Sequence, residues 1–186
     1  MHATAKPIES MAVVDSQRAA PRTLGNCAGL VRVMQRARGL AQAIPDSLIA
    51  LLGRCGIAAV FWQSGQTKVE GFALNPISGD FTLGWPRISD SALALFRDEY
   101  RLPLLAPGIA APLAAFAEHL FPVLLLLGLA TRLSAAALLG MTAVIQFLVY
   151  PGAYATHAVW ATVLLVLIAR GPGKWSLDHW FARRLV

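Results

Sequence analysis

The residues with chemical potential in this chain sit where water is scarce. Glu118 and His119 fall inside the apolar run 110–132, AAPLAAFAEHLFPVLLLLGLATR. A carboxylate in hydrocarbon is costly and needs a partner, so an ionisable residue there is a functional-site hypothesis in its own right. Arg54 lies in a second apolar run, Gln146 in a third and His157 in a fourth. Depth follows from a rise of about 1.5 Å per residue, counted from the helix ends that share one side of the membrane. Arg54 then sits about 10 Å deep, Glu118 about 16 Å, and Gln146 and His157 about 20 Å. An arginine side chain bridges the first interval, so an Arg54–Glu118 ion pair is expected within the cluster Arg54, Glu118, Gln146 and His157. Such a pair either fixes helix register or belongs to a proton, ligand or quinone site. The residues leave both readings open.

The direction of Glu118 is also readable. Ala111, Ala114, Ala115 and Pro122 share its helical face, and small residues mark the side where membrane helices approach closely. Glu118 is therefore expected to point into a bundle, with His119 about 100° around the helix. Gln146, Thr142 and Thr162 read as interhelical hydrogen-bonding groups. His119 and His157 lack the HxxxH or Glu-x-x-His spacing that would support haem or a metal, and no metal site is assigned. Cys27 and Cys55 form no CxxC, and Cys55 reads as a small buried hydrophobe.

The elements that position these groups are membrane helices. Of 186 residues, 56% are hydrophobic and 14% charged, against about 25% charged in soluble proteins. Mean hydropathy is +0.58. The formal charge of +6 does not indicate nucleic acid, because the basic residues flank apolar segments instead of forming one basic face. The first residues lack the compact apolar core of a cleavable signal. The expected architecture is an all-α integral membrane four-helix bundle, with spans at about 48–65, 109–129, 133–150 and 155–170. Residues 1–46 form an N-terminal tail, irregular over 1–27 and a basic amphipathic helix over 28–43. Residues 47–173 form the membrane domain, and 174–186 an amphipathic C-terminal helix capped by Ser176.

Asp46 or Ser47 is expected to cap the first span, and Trp62 to anchor its far end at the interface. The loop 67–108 carries turn signals at Asn75-Pro76 and Ser78-Gly79-Asp80, an extended piece over 81–85, and a short helix capped at Ser89-Asp90. Lysine and arginine concentrate in both termini and the 130–133 turn, which places those in the cytoplasm and the large loop outside.

Several segments together resemble the DoxX family of small bacterial membrane proteins. They include Gly53-Arg54, Phe61-Trp-Gln-Ser-Gly-Gln-Thr-Lys68, Leu95-Phe-Arg-Asp-Glu-Tyr100 and Glu118 with Pro122. Further on come Gly128-Leu-Ala-Thr-Arg132, Val144-Ile-Gln146, Tyr150-Pro151, His157-Ala-Val-Trp160 and Gly171-Pro-Gly-Lys-Trp-Ser-Leu-Asp178. Each piece is weak alone; their order and spacing make the signal specific. The resemblance implies a four-helix membrane bundle of the bacterial inner membrane, in contact with lipid. It also implies an accessory role in a redox, sulfur or metal-related pathway, with a protein partner and a quinone as the candidate cofactor. It does not fix a reaction. A scaffold or assembly factor, and a small proton-coupled transporter acting as a homo-oligomer, are the alternatives. The matched polar positions add a second cluster at the outer mouth of the bundle: Ser64, Lys68, Glu99 and Tyr100.

Overall fold

A computed structural model describes residues 23–75 and 79–185. The irregular segment expected before residue 23 and the turn residues 76–78 lie outside the described residues. The chain divides into two units, 1–43 and 44–186. The first holds helix α1, Thr23–Gln42, which begins before the expected residue 28, so 23–27 are helical. Leu30, Val33 and Met34 are exposed on it.

The second unit holds the bundle. Its four long apolar helices are α2 (Asp46–Gln66), α4 (Pro107–Leu127), α5 (Thr131–Val144) and α6 (Tyr154–Arg170). With the short turns that extend α5 to Val149 and begin α6 at Pro151, all four are long and apolar enough to cross a membrane. Ala50, Ile57, Ala58 and Phe61 from α2 meet Leu125, Ala135, Leu138, Leu164 and Leu167 in one core. Their lipid-facing sides keep Leu52, Leu113, Phe116, Leu133 and Val159 exposed, as a bilayer requires.

Local chemistry sets the ends. Pro45 precedes α2 without a side-chain cap. The expected capping pair is used elsewhere: the Asp46 carboxylate accepts from Arg170 at 2.6 Å, and Ser47 Oγ accepts from Lys174 N–H. Ser89 does cap α3 (Asp90–Leu95), accepting from Ala92 N–H at 3.1 Å. A π-helical turn, Phe96–Tyr100, extends α3. A second π-turn, Ile145–Val149, ends α5. Gly128 closes α4 at φ +66°, and its N–H and that of Leu129 return to Leu125 and Leu124 carbonyls, the Schellman arrangement. A Cβ on Gly128 would also collide with Arg54 and Ser176.

The loop between α2 and α4 holds more than the expected extended piece. Strand β1 (Val69–Asn75) pairs antiparallel with β2 (Asp80–Ile88), with a bulge between Glu70 and Phe72. Sequence reading found half of β2 and none of β1. Gly71 interrupts the alternation of β1, and its φ of +81° lets the backbone pass close to Trp85.

The segment after α6 folds back onto the bundle. Asp178 N–H donates to Gly128 O, and the Asp178 carboxylate accepts from Ala130 and Thr131 N–H at 2.8 and 2.9 Å. It thereby caps α5 from 47 residues away, where the helix dipole favours an anion. Ser176 Oγ accepts from His179 N–H and caps α7, Leu177–Leu185.

Candidate functional site

Glu118 points into the bundle and is 2% exposed, with Ala111, Ala115 and Pro122 buried on the same face. Its partner is not Arg54. Lys68 Nζ lies 2.7 Å from Glu118 Oε2, and Ser64 Oγ donates to Glu118 Oε1 at 3.2 Å. Lys68 Nζ also donates to Ser64 O and Ser64 Oγ at 3.1 and 3.0 Å. These oxygens surround the ammonium of Lys68, a residue 5% exposed. Two residues expected at the outer mouth thus close on the carboxylate expected in the interior.

The correction has a geometric cause. Depth counted from helix ends assumes that the start of α2 and the end of α4 lie level. Their register is set instead by Gly65, where a Cβ would stand 3.1 Å from Glu118 Cβ and 2.8 Å from the His119 ring. Glu118 is therefore level with Gly65, and Arg54 is eleven residues away, about 16 Å along the axis. Arg54 serves the opposite end. It is 1% exposed, and its guanidinium donates to Leu125 O at 3.4 Å and to Trp175 O in the C-terminal segment.

The remaining members of the two expected clusters regroup as well. His157 is buried on α6, and its Nδ1 meets Gln146 Oε1 at 2.6 Å. Gln146 Nε2 donates to Pro151 O at 2.8 Å, which leaves Oε1 to accept from His157 Nδ1–H. His157 Nε2 is then the acceptor nitrogen. The π-turn brings Gln146 to this position. Glu99 accepts from Tyr150 Oη. That hydrogen bond, with partial desolvation, raises the Tyr150 phenol above its ordinary value. Tyr100 stacks edge-on against Tyr150, ring centroids 5.7 Å apart.

Ser64, Lys68, Glu118, His157, Tyr100 and Tyr150 all line one cavity of about 450 Å³. Its other walls are apolar, including Phe61, Met141 and Trp160. Leu113 and Val144 line it and are themselves exposed, so the cavity reaches the membrane-facing surface between α4 and α5. Such a site is of the size and character that takes a small organic molecule. Its polar wall offers an ammonium donor beside a carboxylate, and its facing wall an imidazole acceptor.

His119 stays outside this cavity. Its Nδ1 meets Ala115 O at 2.7 Å and its Nε2 meets Gln66 Nε2 at 2.8 Å. Gln66 Oε1 accepts from Leu74 N–H at 2.8 Å, and Trp62 Nε1 donates to Leu74 O at 2.9 Å. Trp62, expected as an interfacial anchor, ties the hairpin to α2. Sequence reasoning missed this strap because its far end is a backbone group of an unrecognised strand. Cys55, expected to be buried, is exposed on α2.

Fold and site together define a multi-pass membrane protein, a four-helix bundle with a polar-walled cavity between its helices. The DoxX family model matches residues 49–151, and the chain belongs to that family. No curated protein and no solved structure matches it.

Proposed function

We propose that this chain is a redox-linked accessory protein of the bacterial inner membrane that holds a quinone-class molecule in the cavity beside Glu118. The observation that carries the reading is the pairing of an apolar, lipid-reachable cavity with the buried Lys68–Glu118 pair in its wall. A flat ring with two polar oxygens suits the space between Phe61, Met141 and Trp160. Lys68 donates to one ring oxygen by releasing Ser64 Oγ. His157 Nε2 accepts from the other when that oxygen carries a proton, and Glu118 exchanges protons with the bound molecule. A quinone supplies two-electron redox chemistry there; the chain supplies binding, orientation and exclusion of water. The concentration of basic residues in the termini and the 130–133 turn supports a cytoplasmic location for both ends.

The test uses the protein in lipid nanodiscs. Organic extraction is expected to recover quinone, and a short-chain ubiquinone analogue to quench the fluorescence of Trp160. Glu118→Gln, which keeps the side-chain shape, is expected to weaken binding about tenfold, the scale of one charge-assisted hydrogen bond. A quinone-free preparation whose fluorescence ignores the analogue would sink the reading. The scaffold reading would then stand, favoured by exposed Trp180 and Phe181 on α7, and a partner enzyme that loses activity without this chain would identify it.

A further inference from the structure

The hairpin between α2 and α4 is strongly one-sided. In its register Phe81 pairs with Leu74, and Leu83 with Phe72. Directly paired residues of an antiparallel ribbon project from the same face, so these four side chains form one apolar face. Trp85 follows on β2 at the bulge opposite Gly71. The other face pairs Ala73 with Thr82 and Asn75 with Asp80.

Only half of the apolar face is covered. The β1 half lies over the helices: Phe72 stacks edge-on against Trp62 and His119, with centroids 6.4 and 6.2 Å away. The β2 half overhangs. Leu83 is 82% exposed, Trp85 87% and Phe81 63%. Beneath the hairpin runs an apolar groove lined by Val69 and Phe72 on one side and Phe116, Leu120 and Val123 on the other. Those three α4 residues are exposed side chains of a membrane-spanning helix. The overhanging residues are thus carried by a hairpin whose inner strand borders the exposed apolar surface of a membrane-spanning helix.

We propose that this hairpin is a membrane-embedded element: Phe81, Leu83 and Trp85 insert into the leaflet on the hairpin side, and the groove beneath is filled by acyl chains of bilayer lipid. The strap from Trp62 and Gln66 to Leu74 fixes its tilt, and the Thr82 face stays toward water. Aromatic residues at the headgroup level match the belt that membrane proteins place there. The inference is independent of the quinone reading, because it concerns a surface that the cavity does not share.

Spin labels at Leu83→Cys and Thr82→Cys, each in a Cys27→Ser/Cys55→Ser background in liposomes, test it. Collision with oxygen against collision with a water-soluble nickel chelate reports lipid against water. Position 83 is expected to favour oxygen severalfold more than position 82. Nickel access at 83 equal to that at 82 would overturn the proposal in favour of a water-exposed face. Protection of 83 from both reagents, with spin–spin broadening, would overturn it in favour of a second copy of the chain. Phospholipids brominated near the headgroup give a second measurement on the unlabelled protein. They are expected to quench a fluorescence component that Trp85→Phe removes, and equal quenching of both proteins would count against insertion.

Discussion

The two ends of this bundle each bury a cation, and they use it differently. At one end Arg54 spends its guanidinium on the carbonyls of Leu125 and Trp175, with no carboxylate among the described residues in salt-bridge contact. At the other, Lys68 faces the carboxylate of Glu118 across 2.7 Å in the wall of a cavity. A guanidinium bound to backbone carbonyls locks one geometry, because neither partner titrates in the accessible pH range. An ammonium–carboxylate pair beside open space can exchange protons and partners. The comparison separates a structural charge from a chemical one, although both residues are equally buried.

The largest expected effect breaks the chemical end. Lys68→Met leaves the Glu118 carboxylate buried without its cation and is expected to cost about 4 kcal/mol. Adding Glu118→Leu should restore most of that loss, because no stranded charge remains. Arg54→Met is expected to cost about 3 kcal/mol through the orphaned carbonyls. It has no carboxylate whose neutralisation rescues it, and protease should gain access at Lys174. Thermal unfolding in detergent reads both. If a Glu118 substitution rescued Arg54→Met, the contrast between the ends would be wrong.

Gly65→Ala comes next. Its new Cβ meets the His119 ring at 2.8 Å, and overpacking of this kind costs about 2 kcal/mol. The shift should reach the Lys68–Glu118 distance and so weaken ligand quenching, while the Arg54 end stays protected from protease. Asp178→Ala removes the acceptor for two N–H groups at the start of α5 and is expected to cost about 1 kcal/mol, confined to the Arg54 end.

Tyr150→Phe should be the smallest change. The phenol is raised in the folded state by Glu99. Its contribution is therefore complete below the ordinary phenol range, near pH 10, and fades as pH rises through the raised value. Tyr150 is exposed, so solvent screens most of the effect. Ultraviolet titration of the wild type against Tyr150→Phe checks the direction.

The spans were legible because hydropathy and helix length are local properties of the chain. So were the Ser89 and Ser176 caps, which need only a hydroxyl three residues before an N–H. The direction of Glu118 followed from the alanines on its own helix. Its partner did not, because that depends on the offset between two helices, and the offset rests on the missing Cβ of Gly65. Ser64 and Lys68 entered the reading through family resemblance, but with no link to Glu118. The hairpin was hidden by Gly71, which breaks the alternation that marks a strand. Two apolar runs around a glycine-containing turn, 69–74 and 81–85, were the signal that could have revealed it.

The contact between Arg54 and Trp175 ties the first membrane span to a segment that follows the fourth. During synthesis the guanidinium precedes its Leu125 acceptor by 71 residues and its Trp175 acceptor by 121. The bundle can insert span by span, but its first span holds a cation whose second carbonyl comes only after the fourth span. Arrival of that segment is thereby registered as a packing event inside the bundle. A chain cut after the fourth span therefore keeps its four apolar helices and a guanidinium short of one acceptor.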